Sequence, residues 1–302
     1  MISFASCDWG TSTFRLRLPP GDCPREIRNQ SGVASLANRG GDRAQGFRDT
    51  LNQARSALSV PTEMPILISG MASSSLGWKE LPYAELPFAL DGSDAVWSDL
   101  GEHLYLISGV RGTTDMMRGE ETQALGVAAL LGNTLPTEAT LILPGTHSKH
   151  LTLRNAQISE IQTFMTGELF DLLSRHSVLR HSTTSDAIFD ATSFQDGVTA
   201  IRTHSLIAKL FRVRTRQVLD HKDAASNTAF LSGLLIGTEL AELADNKHPL
   251  IVAATEPLLR AYRLAVQVLE ISTRVQFLDA DQLTELGQAV LLPQILRTAG
   301  LV

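Results

Sequence analysis

Residues 141–153, Leu-Ile-Leu-Pro-Gly-Thr-His-Ser-Lys-His-Leu-Thr-Leu, set two short apolar runs on either side of a turn that holds Gly145, Thr146, Ser148 and Lys149. The pattern predicts strand, tight turn, strand. The missing Cβ at Gly145 lets a ligand approach the backbone, and consecutive N–H groups in such a turn form a concave anion site. Lys149 adds a point charge suited to a phosphate. Taken alone, the turn serves equally well to reverse the chain.

A second stretch of the same form begins the chain. Residues 2–7 predict a buried strand and residues 8–12, Asp-Trp-Gly-Thr-Ser, a turn. Phe14, Leu16 and Leu18 then alternate with Thr13, Arg15 and Arg17, the period of a half-buried strand. Here a carboxylate, Asp8, leads the turn. An Asp beside a phosphate-cradling loop has a use in holding Mg²⁺, directly or through water. The competing role is a turn Asp bonded to its own backbone.

The bulk properties narrow the class. A chain of 302 residues has room for two domains with separate cores. The net charge of −6, with no Lys/Arg run, argues against a general nucleic-acid binder. Cys7 and Cys23 are the only cysteines, which excludes a disulfide framework or a zinc cluster. No basic region with a long apolar stretch opens the chain, and no apolar run reaches the ~20 residues that span a bilayer. A cytoplasmic protein is expected, and no internal repeat is visible.

Between and beyond the two hairpins, an amphipathic helix is predicted over residues 42–58. Buried strands at 65–70 and 104–109 both end in Ser-Gly. With residues 141–145 that makes three apolar strands ending in glycine turns. Ligands of α/β sheets sit beyond the carboxyl ends of strands, so a shared cleft is expected. Trp78 and Tyr83 lie in an irregular loop, either covering a small polar substrate or anchoring the loop as core aromatics. Asp115 and Arg118 precede a helix at 120–131, whose Glu120 and Glu121 suit its dipole. A helix capped by Thr166, two long helical stretches at 195–219 and 224–244, a strand at 250–254, a helix at 257–269, a strand at 275–278 and a last helix at 283–297 complete the pattern. Gly233 in the second long stretch permits either close helix packing or approach to a nucleotide. His147 and His150 do not make a convincing metal pair.

The phrases DWGTSTFRL, DMMRGEETQALG, LPGTHSKH, TGELFDLLSRHSVL, LFRVRT and FLSGLLIGTEL occur in this order over nearly the whole chain. Together they resemble the 2-dehydro-3-deoxygalactonokinase family of the actin and sugar-kinase superfamily. The resemblance implies an α/β fold of two ribonuclease-H-like domains of the actin/hexokinase type, with a nucleotide cleft between them. The domains would divide as 1–117 and 118–302, with the last helix a candidate to pack back on the first. It implies ATP-dependent phosphorylation of 2-dehydro-3-deoxy-D-galactonate on its primary 6-hydroxyl, with ATP and Mg²⁺ as cofactors and a homodimer as the candidate working form. Asp8, Gly10, Thr11, Ser12, Gly145, Thr146, Ser148, Lys149, Gly233 and Ala254 would contact the nucleotide. Asp115 would be the catalytic base, Asp8 and Glu120 the metal ligands, and Thr13, Arg15, Trp78, Tyr83 and Arg118 the substrate contacts. A substrate carboxylate calls for a bidentate guanidinium, and Arg15 and Arg118 are the candidates.

Two segments depart from the family pattern. Residues 71–75, Met-Ala-Ser-Ser-Ser, stand where another Gly and often an Arg or Asn are usual. Residues 253–255, Ala-Ala-Thr, stand where a Gly-containing turn meets adenine. The alternatives are therefore a kinase for another sugar or sugar acid, or a catalytically impaired binding module of the same fold.

Overall fold

The computed structural model describes residues 3–18, 26–37, 42–202, 205–271 and 274–300. Cys23 lies outside them. The chain forms two compact units: Met1–Thr137 with Thr152–Ile161 and Ala280–Val302, and Glu138–Leu151 with Gln162–Asp279.

Unit 1 is built on a six-stranded sheet. Its strands are β1 (Ala5–Trp9), β2 (Phe14–Arg17), β3 (Glu26–Asn29), β4 (Ile66–Gly70), β7 (Trp97–Asp99) and β8 (Leu104–Ile107), in the order β3-β2-β1-β4-β8-β7. The first three form an antiparallel meander, while β1, β4 and β8 are parallel. Strands β4 and β8 are buried at every residue, which is why they read as unbroken apolar runs. On this sheet pack α1 (Val33–Ala37) and α2 (Arg43–Ala57). Asp42 caps α2 by accepting from the Ala44 N–H at 2.9 Å, and its apolar face buries Phe47, Leu51 and Ala54. A three-stranded sheet joins β5 (Ala84–Glu85), β9 (Val110–Arg111) and β10 (Met116–Met117).

Unit 2 repeats the plan. Strands β11 (Glu138–Leu143), β12 (Ser148–Arg154) and β13 (Gln157–Phe164) are successive neighbours, and β14 (Leu250–Ala254) and β15 (Val275–Asp279) extend the sheet in parallel from β11. The order β13-β12-β11-β14-β15 matches β3-β2-β1-β4-β8. The fold thus contains a repeat that the sequence hides: sheet order is conserved by hydrogen bonding, while the side chains of the two copies have diverged. The far part of the β12–β13 hairpin groups with unit 1, where Gln157 and Ile158 pair with Ala89 and Phe88 of β6 (Phe88–Ala89). The helices of unit 2 are α4 (Thr166–Arg175), α5 (Ala191–Ala200), α6 (Leu206–Leu210), α7 (Arg212–Val218), α8 (Ala224–Ala241) and α9 (Leu258–Val268). Among the described residues no helix is long and apolar enough to cross a membrane.

Two sequence expectations change. The division at 117/118 does not separate the compact units, because α3 (Glu120–Leu131) pairs with α10 (Leu283–Thr298) inside unit 1. A Cβ at Gly126 would lie 2.0 Å from the Leu283 carbonyl oxygen, and one at Gly287 1.8 Å from that of Thr122, so the helices touch backbone to backbone. The stretch 195–219 is not one helix: α5 and α7 both pack on α8, which a single straight rod cannot do. The three glycine-ended strands lie in two sheets, β4 and β8 in unit 1 and β11 in unit 2.

Gly233 resolves as a packing residue. A Cβ there would sit 2.1 Å from the Phe194 carbonyl oxygen of α5. Gly233→Ala is expected to destabilise the protein by about 1–3 kcal/mol through overpacking. An unchanged denaturant midpoint would show that the α5–α8 crossing relaxes freely.

Candidate active site

In unit 1, β1 delivers Asp8 to the mouth of the first turn, opposite Arg15 on β2 and Ser69 on β4. The turn closes through the Gly10 N–H to the Thr13 carbonyl at 2.8 Å. The Gly10 and Thr11 carbonyls accept from Val33 and Ala34 at 3.0 Å each, which holds the turn against α1. Among the described residues no backbone carbonyl accepts from the N–H groups of the exposed Thr11 and Ser12, as an anion-binding turn requires. Desolvation pushes the Asp8 carboxyl up from its ordinary value, against the pull of Arg15 and then Arg28.

Behind this turn, α3 starts against the end of β4. Gly119, at φ +112°, brings its backbone to Gly70, where a Cβ on Gly119 would stand 3.3 Å from the Gly70 Cα. Glu120 accepts from the Arg118 N–H at 3.0 Å, and the buried Glu121 accepts from the Gly119 N–H at 2.7 Å and the Thr122 hydroxyl at 3.1 Å. Ser69 links Thr122 (3.1 Å) to Gln288 (2.9 Å), whose amide also donates to the Cys7 carbonyl at 3.1 Å. Glu121 was read from sequence only as a charge suiting the helix dipole. Nothing local distinguishes it from Glu120; only the fold buries one of the pair.

Asp115 lies at the end of the loop between β9 and β10. Its carbonyl accepts from the Gly112 N–H at 2.8 Å and its carboxylate from the Met116 N–H at 2.8 Å. It opens on a cavity of about 350 Å³ lined also by Glu85, Pro87, Thr113, Thr114 and Ser159. Arg118, beyond the other end of β10, does not line that cavity. Its guanidinium stacks on the Tyr83 ring, 4.0 Å from the centroid, and Nη1 donates to the Ser73 carbonyl at 2.6 Å and hydroxyl at 2.7 Å. The divergent 71–75 segment therefore supplies the anchor for Arg118. The Arg118 Nε is buried without a partner.

Two substrate candidates are engaged elsewhere. Arg15 pairs with Asp281 at 3.3 Å. Trp78 belongs to the core, its ring 6.1 Å from that of Trp9 and 6.0 Å from that of Phe47, so the core-aromatic alternative applies. Thr13 remains half-buried beside the turn.

In unit 2 the second turn presents Gly145 and Thr146, both exposed, whose N–H groups meet no backbone carbonyl among the described residues. The first turn of α4 presses on it: Glu168 N–H donates to the Thr146 carbonyl at 2.9 Å, and Glu168 pairs with His147. A Cβ at Gly167 would lie 2.5 Å from the Gly145 oxygen, so this approach demands glycine. Ser148 and Lys149 are buried rather than displayed on the turn, with Lys149 Nζ donating to Thr163 at 2.7 Å. Thr166 does not cap α4; its hydroxyl donates to Glu239. Next to Gly145 opens a largely apolar cavity of about 230 Å³, walled by Phe170, Phe189, Leu258 and Ala261 with Ser232 and Tyr262. Ala254, buried at the end of β14, is not part of that wall.

A model of the 2-keto-3-deoxy-galactonokinase family matches residues 8–291. A Rhizobium meliloti (strain 1021) protein named probable 2-dehydro-3-deoxygalactonokinase is 36% identical over 300 residues, covering 94% of each chain. The 2-dehydro-3-deoxygalactonokinase of Escherichia coli (strain K12) is 30% identical over 275 residues, covering 88% of this chain and 90% of that one. A crystal structure from Sinorhizobium meliloti, assigned to a 2-dehydro-3-deoxygalactonokinase protein, superposes with a TM-score of 0.83 at 35% identity, over 96% of this chain and 99% of that one. The activator of 2-hydroxyisocaproyl-CoA dehydratase from Clostridium difficile, with bound ADPNP, aligns over 99% of this chain and 97% of that one at a TM-score of 0.53 and 11% identity, a likeness of fold alone. The family match begins at the Asp8 that leads the first turn and runs into the last helix, and the two named relatives cover 94% and 88% of the chain: the chain belongs to the 2-keto-3-deoxy-galactonokinase family.

Proposed function

We propose that this kinase transfers the γ-phosphoryl group of ATP to the primary 6-hydroxyl of 2-dehydro-3-deoxy-D-galactonate in the cytoplasm. The observation that carries the reading is the family match over residues 8–291, which takes in both glycine turns and the Asp115 loop. The apolar cavity of unit 2 suits a flat nucleobase, with the open amides of Gly145 and Thr146 beside it for phosphate oxygens.

The donor set of unit 1 fits Mg²⁺, which takes one or two carboxylates and completes its shell with water and phosphate oxygens. Asp8, half-buried beside two open amides, would hold it. Glu120 is turned to the Arg118 N–H and is a weaker candidate. When bound, the ion neutralises charge on the phosphoryl oxygens. Asp115 orients the substrate hydroxyl and takes its proton. Arg118 holds the substrate carboxylate through the guanidinium edge not used on Ser73. Base and carboxylate grip act at opposite ends of a six-carbon chain, and here they flank β10 rather than share a cavity.

Incubation with Mg-ATP and a panel of sugar acids tests the reading, with ADP release and phosphorus NMR as readouts. A C6 phosphomonoester of 2-dehydro-3-deoxygalactonate is expected. Turnover of a different acid in its place would reassign the substrate. Arg118→Lys keeps the charge but loses the planar fork, and should raise KM for the acid by about 10- to 100-fold with KM for ATP unchanged. An unchanged acid KM would remove Arg118 from the site.

A further inference from the structure

Glu239 is 1% exposed in the middle of the apolar helix α8. A carboxylate in such a place persists only when its lone pairs are taken up. Four side chains do this. Ser148 donates to Oε1 at 2.7 Å, Tyr262 lies 2.9 Å from both oxygens, His150 Nε2 is 3.0 Å from Oε1, and Thr166 donates to Oε2. The donors come from β12, α9 and α4, so one group ties three elements to α8.

These partners are not scattered. Ser148 follows the second turn directly in sequence, separated from Thr146 by one residue. Thr166 and Tyr262 are walls of the apolar cavity, which Gly145 also borders. The same first turn of α4 that holds Thr166 bonds the Thr146 carbonyl through Glu168. Moving the turn and Ser148 together relative to the cavity would break a hydrogen bond to a buried carboxyl group, which leaves a buried polar atom unsatisfied.

Resting on the nucleotide reading above, we propose that Glu239 is a positioning residue that fixes the Gly145–Thr146 phosphate turn against the nucleoside cavity, through Ser148 on one side and Thr166 and Tyr262 on the other. It touches no reacting atom. Its effect is to hold the two parts of the nucleotide subsite at the spacing that base and phosphates need together.

Calorimetric titration of ATP and of adenosine separates the two parts. Ser148→Ala removes the 2.7 Å bond to Glu239, and with it the longer 3.5 Å approach to the Tyr262 hydroxyl, and should weaken ATP by about tenfold with adenosine affinity held within about twofold. Glu239→Gln should weaken ATP at least as much, and adding Ser148→Ala to it should cost little more, because the two act through one contact. ATP affinities at the parental value in both variants, or losses that multiply in the double variant, would overturn the proposal. So would equal losses for ATP and adenosine in Ser148→Ala. If Glu239→Gln does not fold, Tyr262→Phe replaces it in the same cycle under the same criteria. A parent protein that binds neither ATP nor adenosine would remove the nucleotide reading itself, and this proposal with it.

Discussion

Replacing Asp115 by Asn is expected to lower kcat by about 10²- to 10⁴-fold, the usual cost of losing a general base, while Mg-ATP affinity and melting temperature stay at their parental values. An amide of equal size still accepts from the Met116 N–H at the position where the carboxylate does so at 2.8 Å. It also leaves the Gly112 N–H bond to the residue 115 carbonyl in place. The loop thus keeps both of these bonds and loses the capacity to take a proton. A rival role, capping the helix that follows, has no support in the geometry. The N-cap of α3 is Gly119, with no side chain bonding the helix end. A cap would predict lost stability with turnover kept. Measuring kcat and melting temperature on one preparation separates the outcomes, and near-parental turnover of an acid that the parent phosphorylates rejects Asp115 as the base.

Glu121 gives the second large effect, on stability rather than rate. Its carboxyl is 2% exposed and is pushed up to about 7, first by burial and then by the neighbouring Glu120 carboxylate. The Gly119 N–H and the Thr122 hydroxyl act in the opposite direction and only partly offset this. The native state therefore binds this proton more tightly than the unfolded chain, in which a Glu titrates near ~4.3. Below the unfolded value both states are protonated and no penalty exists. As pH rises from there to about 7, ionisation is withheld in the native state and stability falls. Above about 7 the loss is complete, on the order of 3 kcal/mol. Melting curves in a metal chelator, from about pH 5 to about pH 8, should show the parent losing stability relative to Glu121→Gln across this window. Parallel curves for the two proteins would mean that Glu121 ionises freely where it stands.

The hairpins around Gly145 and Asp8, the capped helix after Asp42 and strand Leu250–Ala254 were legible because each depends on neighbours in sequence: period, turn residues and caps. The Ser-Gly strand endings were legible for the same reason, as was Asp115 in its glycine-flanked loop. Motif order over the whole chain then carried the family. What it could not carry was any fact that depends on which distant segment arrives. Trp78 became core because Trp9 and Phe47 meet it, and Arg15 pairs with Asp281, 266 positions away.

The same holds for the residues that sequence left unremarked. Glu239 stood in an apolar helical run, a lone carboxylate whose burial could have been suspected there. Its four donors, at positions 148, 150, 166 and 262, have no common spacing to betray them. Ser73, inside a segment that departs from the family pattern, acquires meaning only when Arg118 reaches it across 45 positions. Local propensity and turn chemistry act over a few residues, so the sequence by itself determined the elements, the turns and the family. Desolvation, ion pairing and hydrogen-bond satisfaction act through space, so only the tertiary structure decided which Glu of the 120–121 pair is buried, which Arg is paired with a carboxylate, and which helix glycine is packed.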